Sequence, residues 1–333
     1  MRAHGRRPAC TRLLSLVLAV VLMQPGASAR TVPADLPAPA ATARRIRAIP
    51  VTSHRHYQVN AAVRPLPLPF LWIGRDRVGT ADFVVHRGSD NARAYEFAGG
   101  SDPERAPGRI NRWGYIAEET RSGVTNLVGV IKLSDEKSLA EVQQSIDRER
   151  ASRRYAFKVY AGVISPPSVH AGDTIVQLDH DAAYRDLDHV LQMLPAETPA
   201  GLKAVSPRSG TDPGFLEAIT SIIHTRVEAR RSGQPVGGRS AVRCFFNNQA
   251  YQLTERSVQF VPSITIAGRA YRNVLKSELE GTQPGTSNRM PIEIVYATSG
   301  DLAEAPLRVL IQIRWWFQVE LVLDPANPDT PLR

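Results

Sequence analysis

The feature that most constrains the fold is an unbroken alternation of apolar and polar residues near the C-terminus. Between Val309 and Leu323 every odd position is apolar, while the even positions are mostly polar or amphipathic. A period of two is typical of a β-strand with one buried face. These 15 residues predict one strand of about 50 Å, much longer than the usual strand of about five or six residues. Such a strand must bend across a large curved sheet or pass from one sheet into another.

Further strands are predicted in two regions, residues 70–133 and 239–324. In the first region, residues 88–91 and Ser122-Gly123 separate alternating segments as hairpin turns do. The second region contains the long alternating segment. The sequence does not decide whether the two regions belong to one sheet.

The middle of the chain, residues 134–233, is predicted to be helical. One amphipathic segment begins at Ser134, and a second extends from about Ala182 to Leu194. The third has Asp212 as its N-cap and ends at Gly233. We therefore expect an α+β fold: an antiparallel, strongly curved, half-barrel-like sheet with about three helices inserted in the middle of the chain.

Residues 1–29 contain the three parts of a secretory signal peptide. An arginine-rich start precedes the apolar run Leu13–Met23, and Ala27-Ser28-Ala29 forms a cleavage site. The apolar run has about half the length of a membrane-spanning helix. We therefore predict an exported protein, periplasmic or extracellular, with no transmembrane span in the mature chain. A retained anchor and a twin-arginine export route are the alternatives.

The rest of the chain is predicted to have three parts. Residues 30–52 are rich in Pro and Ala, lack hydrophobic periodicity and indicate a disordered leader. A composite α+β domain is expected over residues 53–325, and residues 326–333 form a C-terminal tail.

The charge balance bears on the class of partner. The 41 Lys and Arg residues against 32 Asp and Glu give a formal charge of +9. Four of the arginines lie in residues 1–29, which have no acidic residue, so 37 basic residues against 32 acidic ones remain. Basic runs interleaved with aromatic residues are missing. We therefore expect no nucleic-acid partner, and the sequence leaves the oligomeric state open.

Short catalytic signatures are missing from the sequence. It contains no G-x-S-x-G, H-E-x-x-H, P-loop or G-x-G-x-x-G pattern. Cys244 lies in a predicted strand, which favours a small buried hydrophobe over a nucleophilic thiol. We therefore favour a protein that is not an enzyme and needs no cofactor. Glycosidases stay compatible with the sequence, because their two carboxylates need no local motif.

Two features predict a ligand site. The loop before and including Trp113 combines arginines with an indole, and guanidinium groups match carboxylate or phosphate groups. The apolar face of the long segment predicts either core or the wall of a groove for an apolar or lipid-like ligand. The residues assigned to the ligand site are Arg105, Arg109, Arg112, Trp113, Trp315 and Phe317.

A metal- or carboxylate-dependent envelope hydrolase is the alternative function. The spacing His54-x-His56 puts two imidazoles on one side of an extended segment, which suits a transition metal. His224 and Glu228, one helical turn apart, form a further half-site or a surface ion pair. The ligands predicted for the metal are His54, His56, Asp179, His180 and Asp181.

Residues 239–324, about a quarter of the chain, carry a resemblance to known domains. The features are the segment Ser257–Gly281, the strand Met290–Tyr296, and Pro306-Leu-Arg leading into Arg314-Trp-Trp-Phe and Val319-Glu-Leu-Val-Leu. They resemble exported bacterial β-rich domains and, more distantly, half-barrel lipoprotein carriers. The resemblance implies an envelope-associated fold that holds a ligand and brings no catalytic residues.

Overall fold

The fold is one antiparallel sheet of 14 strands with helices packed against it. The computed structural model describes residues 38–64, 71–106, 111–132, 155–166, 168–178, 182–194, 203–205, 212–324 and 326. The described helices are α1 (Pro39–Arg47), α2 (Leu187–Met193), which directly follows the 3-10 turn Tyr184–Asp186, and α3 (Phe215–Arg231). The strands are β1 (Val51–Val63), β2 (Ile73–Arg87), β3 (Arg93–Ser101), β4 (Trp113–Arg121), β5 (Val124–Lys132), β6 (Tyr155–Ser165), β7 (Ser168–Leu178), β8 (Lys203–Val205), β9 (Ala241–Phe246), β10 (Gln249–Ile266), β11 (Arg269–Thr282), β12 (Arg289–Ala297), β13 (Pro306–Arg314) and β14 (Phe317–Leu323).

Strand β1 joins the two halves of this sheet. The strand order is β8-β7-β6-β5-β4-β3-β2-β1-β14-β13-β12-β11-β10-β9, and every named pair is antiparallel. Tyr57 on β1 lies opposite Leu323 on β14, and Val63 lies opposite Phe317. The two strand regions that the sequence predicts therefore belong to a single sheet.

The prediction of one long strand from Val309 to Leu323 is wrong. The segment is a hairpin, with β13 and β14 joined at Trp315 and Trp316. A two-residue turn pairs Arg314 of β13 with Phe317 of β14. With that register alone, even positions of β13 would share a face of the sheet with odd positions of β14. The register then shifts by one residue at Ile313, and from Gln312↔Gln318 onwards even positions pair with even ones. This bulge returns all odd positions to one face, and the alternation therefore continues through the turn.

The middle of the chain is not the helical insertion that was predicted. Strands β6, β7 and β8 lie within residues 134–233 and extend the sheet. The second and third predicted helices are present as the 3-10 turn with α2 and as α3. The helix predicted to begin at Ser134 lies outside the described residues.

Helix α1 occupies part of the segment that was predicted to be a disordered leader. It spans Pro39–Arg47, and β1 begins at Val51. Ala40, Ala43 and Ile46 are buried in the same core cluster as residues of β3 and β4. Small alanine side chains let the helix backbone approach the sheet closely. Because alanine is only weakly hydrophobic, the amphipathic pattern that would have predicted this helix is faint in the sequence.

The two faces of the sheet carry different helices. Residues that lie opposite each other on neighbouring strands project their side chains to the same face of the sheet, so the register shows which face each residue occupies. One side, called the α1 face, carries Trp113 and packs against α1 and α2. The other side, called the α3 face, carries Tyr57 and Tyr296, and the buried stripe of α3 packs there against β9 to β12.

The N-terminus of α3 is fixed by a carboxylate from the sheet. The N-cap is Gly214, which has no side chain, and Glu118 of β4 accepts hydrogen bonds from the backbone N–H of Leu216 (2.9 Å) and Glu217 (3.0 Å). A Cβ at position 214 would lie 2.3 Å from this carboxylate. Glu118 thus performs the capping role that the sequence assigned to Asp212. Asp212 instead forms an ion pair with Arg243 at 2.9 Å.

Replacement of Glu118 by Gln should remove a specific part of the pH dependence of stability. Burial raises the pKa of Glu118 from 4.5 to about 7, although its backbone hydrogen bonds favour the ionised form. Because the folded-state pKa is the higher one, the stability that Glu118 contributes is complete below pH 4.5 and is lost as pH rises through about 7. This change amounts to about 3 kcal/mol.

Urea unfolding of the wild-type protein and of Glu118→Gln between these pH values measures the effect. The free energy of unfolding of the wild type should fall relative to that of Glu118→Gln as the pH rises, while the exposed Glu104→Gln variant follows the wild type throughout. A constant separation between wild type and Glu118→Gln would contradict the assigned role.

Candidate functional site

Two of the predicted metal ligands meet around a carboxylate. His54 and His56 project from one face of β1, and Asp82 projects from β2 directly opposite His56. Nε2–H of His54 and Nδ1–H of His56 each donate to the same oxygen, Oδ1 of Asp82, at 2.9 Å. Tyr184 OH donates to the other oxygen, Oδ2. The structure therefore places an anion between the two imidazoles.

The charges of this cluster support one another. Burial raises the pKa of Asp82, but the hydrogen bonds from His54 and His56 outweigh burial and hold this pKa below its ordinary value. The hydrogen bond to Asp82 raises the pKa of His56 above 6.5, and it outweighs the opposing effect of burial. His54 and Asp82 are both buried, whereas His56 keeps a quarter of its side chain exposed.

The arrangement is that of an oriented general base. A carboxylate that accepts Nδ1–H of a histidine fixes its tautomer and leaves Nε2 for proton transfer. Hydrolysis would also require a nucleophile or a metal-bound water. Within the part of the chain that the structure describes, the set of three potential ligands with atoms within 4.8 Å of one another lies elsewhere, at His224, Glu228 and Glu304.

The His224 group is held by ion pairs. Nδ1 of His224 lies 3.1 Å from Glu304, and Arg231 contacts Glu228 at 2.5 Å and Glu304 at 3.5 Å. The guanidinium group neutralises the carboxylates that a metal would need. These contacts are those of the surface ion pair that the sequence offers as one interpretation, with Glu304 and Arg231 as additional partners.

The remaining predicted metal ligands cannot be placed. Asp179, His180 and Asp181 lie outside the described residues. The structure describes the chain again from residue 182, and Tyr184 is the residue that it brings to Asp82.

The predicted arginine loop is described only in part. Arg105 is exposed and lies 3.5 Å from Asp102, Arg112 donates to the carbonyl of Asn111, and Arg109 lies outside the described residues. Trp113 is fully buried on the α1 face, where its Nε1–H donates to the carbonyl of Ala182 at 2.8 Å.

The two aromatic residues predicted from the long segment lie far from Trp113. Phe317 is buried on the α3 face, and Trp315 is 51% exposed in the β13–β14 turn. Four steps of the strand order separate β4 from β14, a distance of about 19 Å across a flat sheet. The structure therefore separates the arginine and indole part of the predicted ligand site from its apolar part.

A band of half-buried apolar side chains runs along the α3 face. Register pairs link Phe83 with Phe97 and then Ile116 on one side of β1, and on the other side Ile311 lies opposite Val319. None of these side chains is fully covered, although fully buried residues such as Tyr57 and Leu323 lie beside them. The band consists of Val59, Phe83, Phe97, Ile116, Val309, Ile311 and Val319.

A second buried network fixes α1 to the sheet. His86 donates from Nδ1 to the carbonyl of Ile49 and from Nε2 to Glu96, both at 2.8 Å, so both ring nitrogens face acceptors. The other oxygen of Glu96 accepts from Tyr115 OH at 2.7 Å and from Arg47 Nε at 3.0 Å. Burial lowers the pKa of His86, but the bonds to Glu96 and Ile49 outweigh it, and this pKa lies above its ordinary value. The network links Arg47 of α1 to side chains on β2, β3 and β4, so it holds the helix against the sheet.

The sequence did not reveal Asp82, Tyr184 or Glu96 as members of these clusters. Asp82 and Glu96 each stand among apolar residues in a predicted strand, and an acidic residue in such a position was the available signal.

The cysteine prediction concerns Cys244, which is buried in β9, and burial raises the pKa of its thiol. The described residues contain no helix that is both long and apolar enough to cross a membrane.

Comparison with known proteins gives similarity in structure but not in sequence family. No protein-family model matches the chain, and no curated protein matches it. Among solved structures, the chain is similar to a β-barrel-like protein of the domain of unknown function DUF1849 from Brucella abortus. The two share 10% sequence identity, the match covers 83% of this chain and 98% of the other, and the TM-score is 0.42. A similarity at this level supports no inference about function.

Replacement of Asp82 by Asn should uncouple the two histidines. We expect the pKa of His56 to fall towards 6.5 and the free energy of unfolding at neutral pH to drop by on the order of 3 kcal/mol. Because the pKa of His56 is raised, the stability it contributes is complete below pH 6.5 and is lost as pH rises through the folded-state pKa.

NMR titration of the histidine rings, with urea unfolding at several pH values, checks this expectation. The matched control is Asp76→Asn, an exposed carboxylate on the same strand. An unchanged His56 titration in Asp82→Asn would refute the coupling.

Proposed function

We propose that this protein is exported and holds an apolar or lipid-like ligand against the α3 face, without catalysing a reaction. The observation that carries the proposal is the band of half-buried apolar side chains on that face. These side chains pack against buried residues beneath them and keep part of their surface accessible, as the lining of a ligand-holding concavity would. The buried carboxylate of Glu118 on the same face binds the N-terminus of α3 and is not part of the band.

The proposal includes a strongly curved, half-barrel-like sheet. Support comes from Phe245 of β9, which packs with Leu127 of β5 and Ile164 of β6, and from the ring contact between Tyr160 of β6 and Phe246 at 6.4 Å. Eleven steps of the strand order separate β6 from β9, which is about 50 Å across a flat sheet. A sheet that wraps around α3 brings the two strands together. The resemblance of residues 239–324 to half-barrel lipoprotein carriers favours the same arrangement.

Export is proposed from residues 1–29, whose arginines, apolar run and small residues form a signal peptide. If the signal is cleaved after Ala29, the mature protein begins at Arg30, nine residues before α1 starts at Pro39. Intact mass and N-terminal sequencing of the protein from a bacterial host should give Arg30 in the periplasmic or extracellular fraction. A cytoplasmic protein that retains Met1 would contradict export.

An envelope hydrolase is the second candidate function. The specific observation that favours it is the hydrogen bond from His56 to Asp82, which holds the imidazole in the orientation that a general base needs. Assays of Asp82→Asn and Asp76→Asn distinguish this function from ligand holding, because hydrolytic activity would be lost in the first variant and kept in the second.

Filling the apolar band should block the ligand. Val319→Phe adds volume inside the band, whereas Val51→Phe adds the same volume at a side chain that is 54% exposed on β1. We expect the affinity for a fluorescent fatty acid to fall about tenfold or more in Val319→Phe, a loss of about 1.4 kcal/mol of binding free energy. Val51→Phe should bind as the wild type does.

Native mass spectrometry and urea unfolding complete the test. The wild-type protein should co-purify with a lipid or small apolar ligand that Val319→Phe lacks, and Val319→Phe should unfold at nearly the wild-type urea concentration because its site is open. Two results together would reject the proposal. The wild-type protein would carry no ligand, and the free energy of unfolding of Val319→Phe would fall by about 1–3 kcal/mol, as it does when a closed core is overpacked.

A further inference from the structure

Two neighbouring segments at one end of β1 and β14 concentrate exposed apolar residues. The first lies where β2 begins, with Leu71 44% and Ile73 48% exposed beside Trp72. The second is the β13–β14 turn, with Trp315 51% exposed beside Trp316. We call this surface the aromatic tip, and it consists of Leu71, Trp72, Ile73, Trp315 and Trp316.

The two segments of the aromatic tip are joined by backbone contacts. Val63, the last residue of β1, lies opposite both Ile73 and Phe317. The next residue, Arg64, donates its backbone N–H to the carbonyl of Trp316 at 2.7 Å. The exposed side chains therefore belong to one surface that the ends of the sheet hold in place.

The composition of the aromatic tip is distinctive within this chain. Three of the four tryptophans of the whole sequence lie there. Of the five large apolar side chains that are exposed in the described part of the chain, Leu71, Ile73 and Trp315 belong to the tip. Soluble surfaces rarely group exposed apolar residues in this way, and tryptophan favours the boundary between an apolar phase and water.

Basic residues surround the aromatic tip. The guanidinium group of Arg64 lies 4.2 Å from the centroid of the Trp72 ring, and Arg75 and Arg314 are exposed beside the two segments. Arg77 lies two residues further along β2 than Arg75, and the acidic Asp76 stands between them. The four arginines and one aspartate give a formal charge of +3 around the apolar side chains.

We propose that the aromatic tip docks this protein onto an anionic lipid bilayer. Indole rings and aliphatic side chains would enter the headgroup region, and the surrounding guanidinium groups would contact lipid phosphates. A protein partner fits less well, because guanidinium groups around exposed indoles match the phosphates that lie above the apolar layer of a bilayer. This surface uses residues that are not in the band on the α3 face, so it does not depend on the proposed ligand.

Vesicle flotation with the purified protein tests the docking. We expect binding to vesicles of phosphatidylcholine mixed with phosphatidylglycerol, much weaker binding to phosphatidylcholine alone, and loss of binding as salt screens the arginines. Trp315→Ser should lower the affinity about tenfold, and Arg314→Glu should lower it on anionic vesicles specifically. Ile175→Ser is the matched control, since Ile175 is an isolated side chain on β7 with 63% exposure.

The same variants distinguish docking onto lipid from self-association. Circular dichroism and thermal unfolding establish that each variant is folded, and fatty-acid binding should be unchanged in Arg314→Glu, which keeps this test independent of the ligand proposal. Absence of binding to anionic vesicles would overturn the proposal. So would concentration-dependent self-association in analytical ultracentrifugation that Trp315→Ser abolishes while vesicle binding is unaffected, because the tip would then be an interface between two copies.

Discussion

The pairing of β1 with β14 is the constraint on which the rest of the structure depends. Every other pair of neighbouring strands in the sheet is consecutive along the chain, whereas Tyr57 and Leu323 meet across almost the whole protein. Closing a chain segment of that length costs on the order of 5 kcal/mol in entropy. Seven facing residue pairs and the burial of Tyr57 and Leu323 offset this cost. Without the pairing, the two series of hairpins would be separate sheets with two more exposed edges.

Local features of the sequence predicted the elements that local interactions determine. The hairpins around residues 88–91 and Ser122-Gly123 are present, and so is the amphipathic helix that ends before Gly233. The failures have a common physical origin in contacts between distant residues. The bulge at Ile313 restores the alternation of apolar and polar residues, so the sequence pattern does not reveal the turn between β13 and β14. The cap of α3 comes from Glu118, almost a hundred residues earlier in the chain. A pattern in one segment carries no information about such partners.

The predicted site divides for the same reason. His54 and His56 are two residues apart on one strand, so their common face follows from the period of two. Asp82 reaches them only because β2 pairs with β1 in one register, and Tyr184 reaches Asp82 only because the 3-10 turn packs on the α1 face. The aromatic tip likewise needs the pairing of β1 with β14, which brings Ile73 and Trp315 to one end of the sheet.

Carboxylates of the sheet fix the helices to it. Glu96 binds Arg47 of α1, Glu118 binds the N-terminus of α3, and Glu255 of β10 binds Arg226 near the other end of α3. Asp82 does the same for the turn that contains Tyr184. Two of these attachments, Glu96 with Arg47 and Glu255 with Arg226, are ion pairs. Buried ion pairs add little net stability, because desolvation opposes the attraction, but a buried charge left without its partner is strongly unfavourable. They therefore select one arrangement of helices over others. Since the strand ladder consists of backbone hydrogen bonds that do not titrate, we expect changes of pH to act on these side-chain attachments and not on the ladder itself.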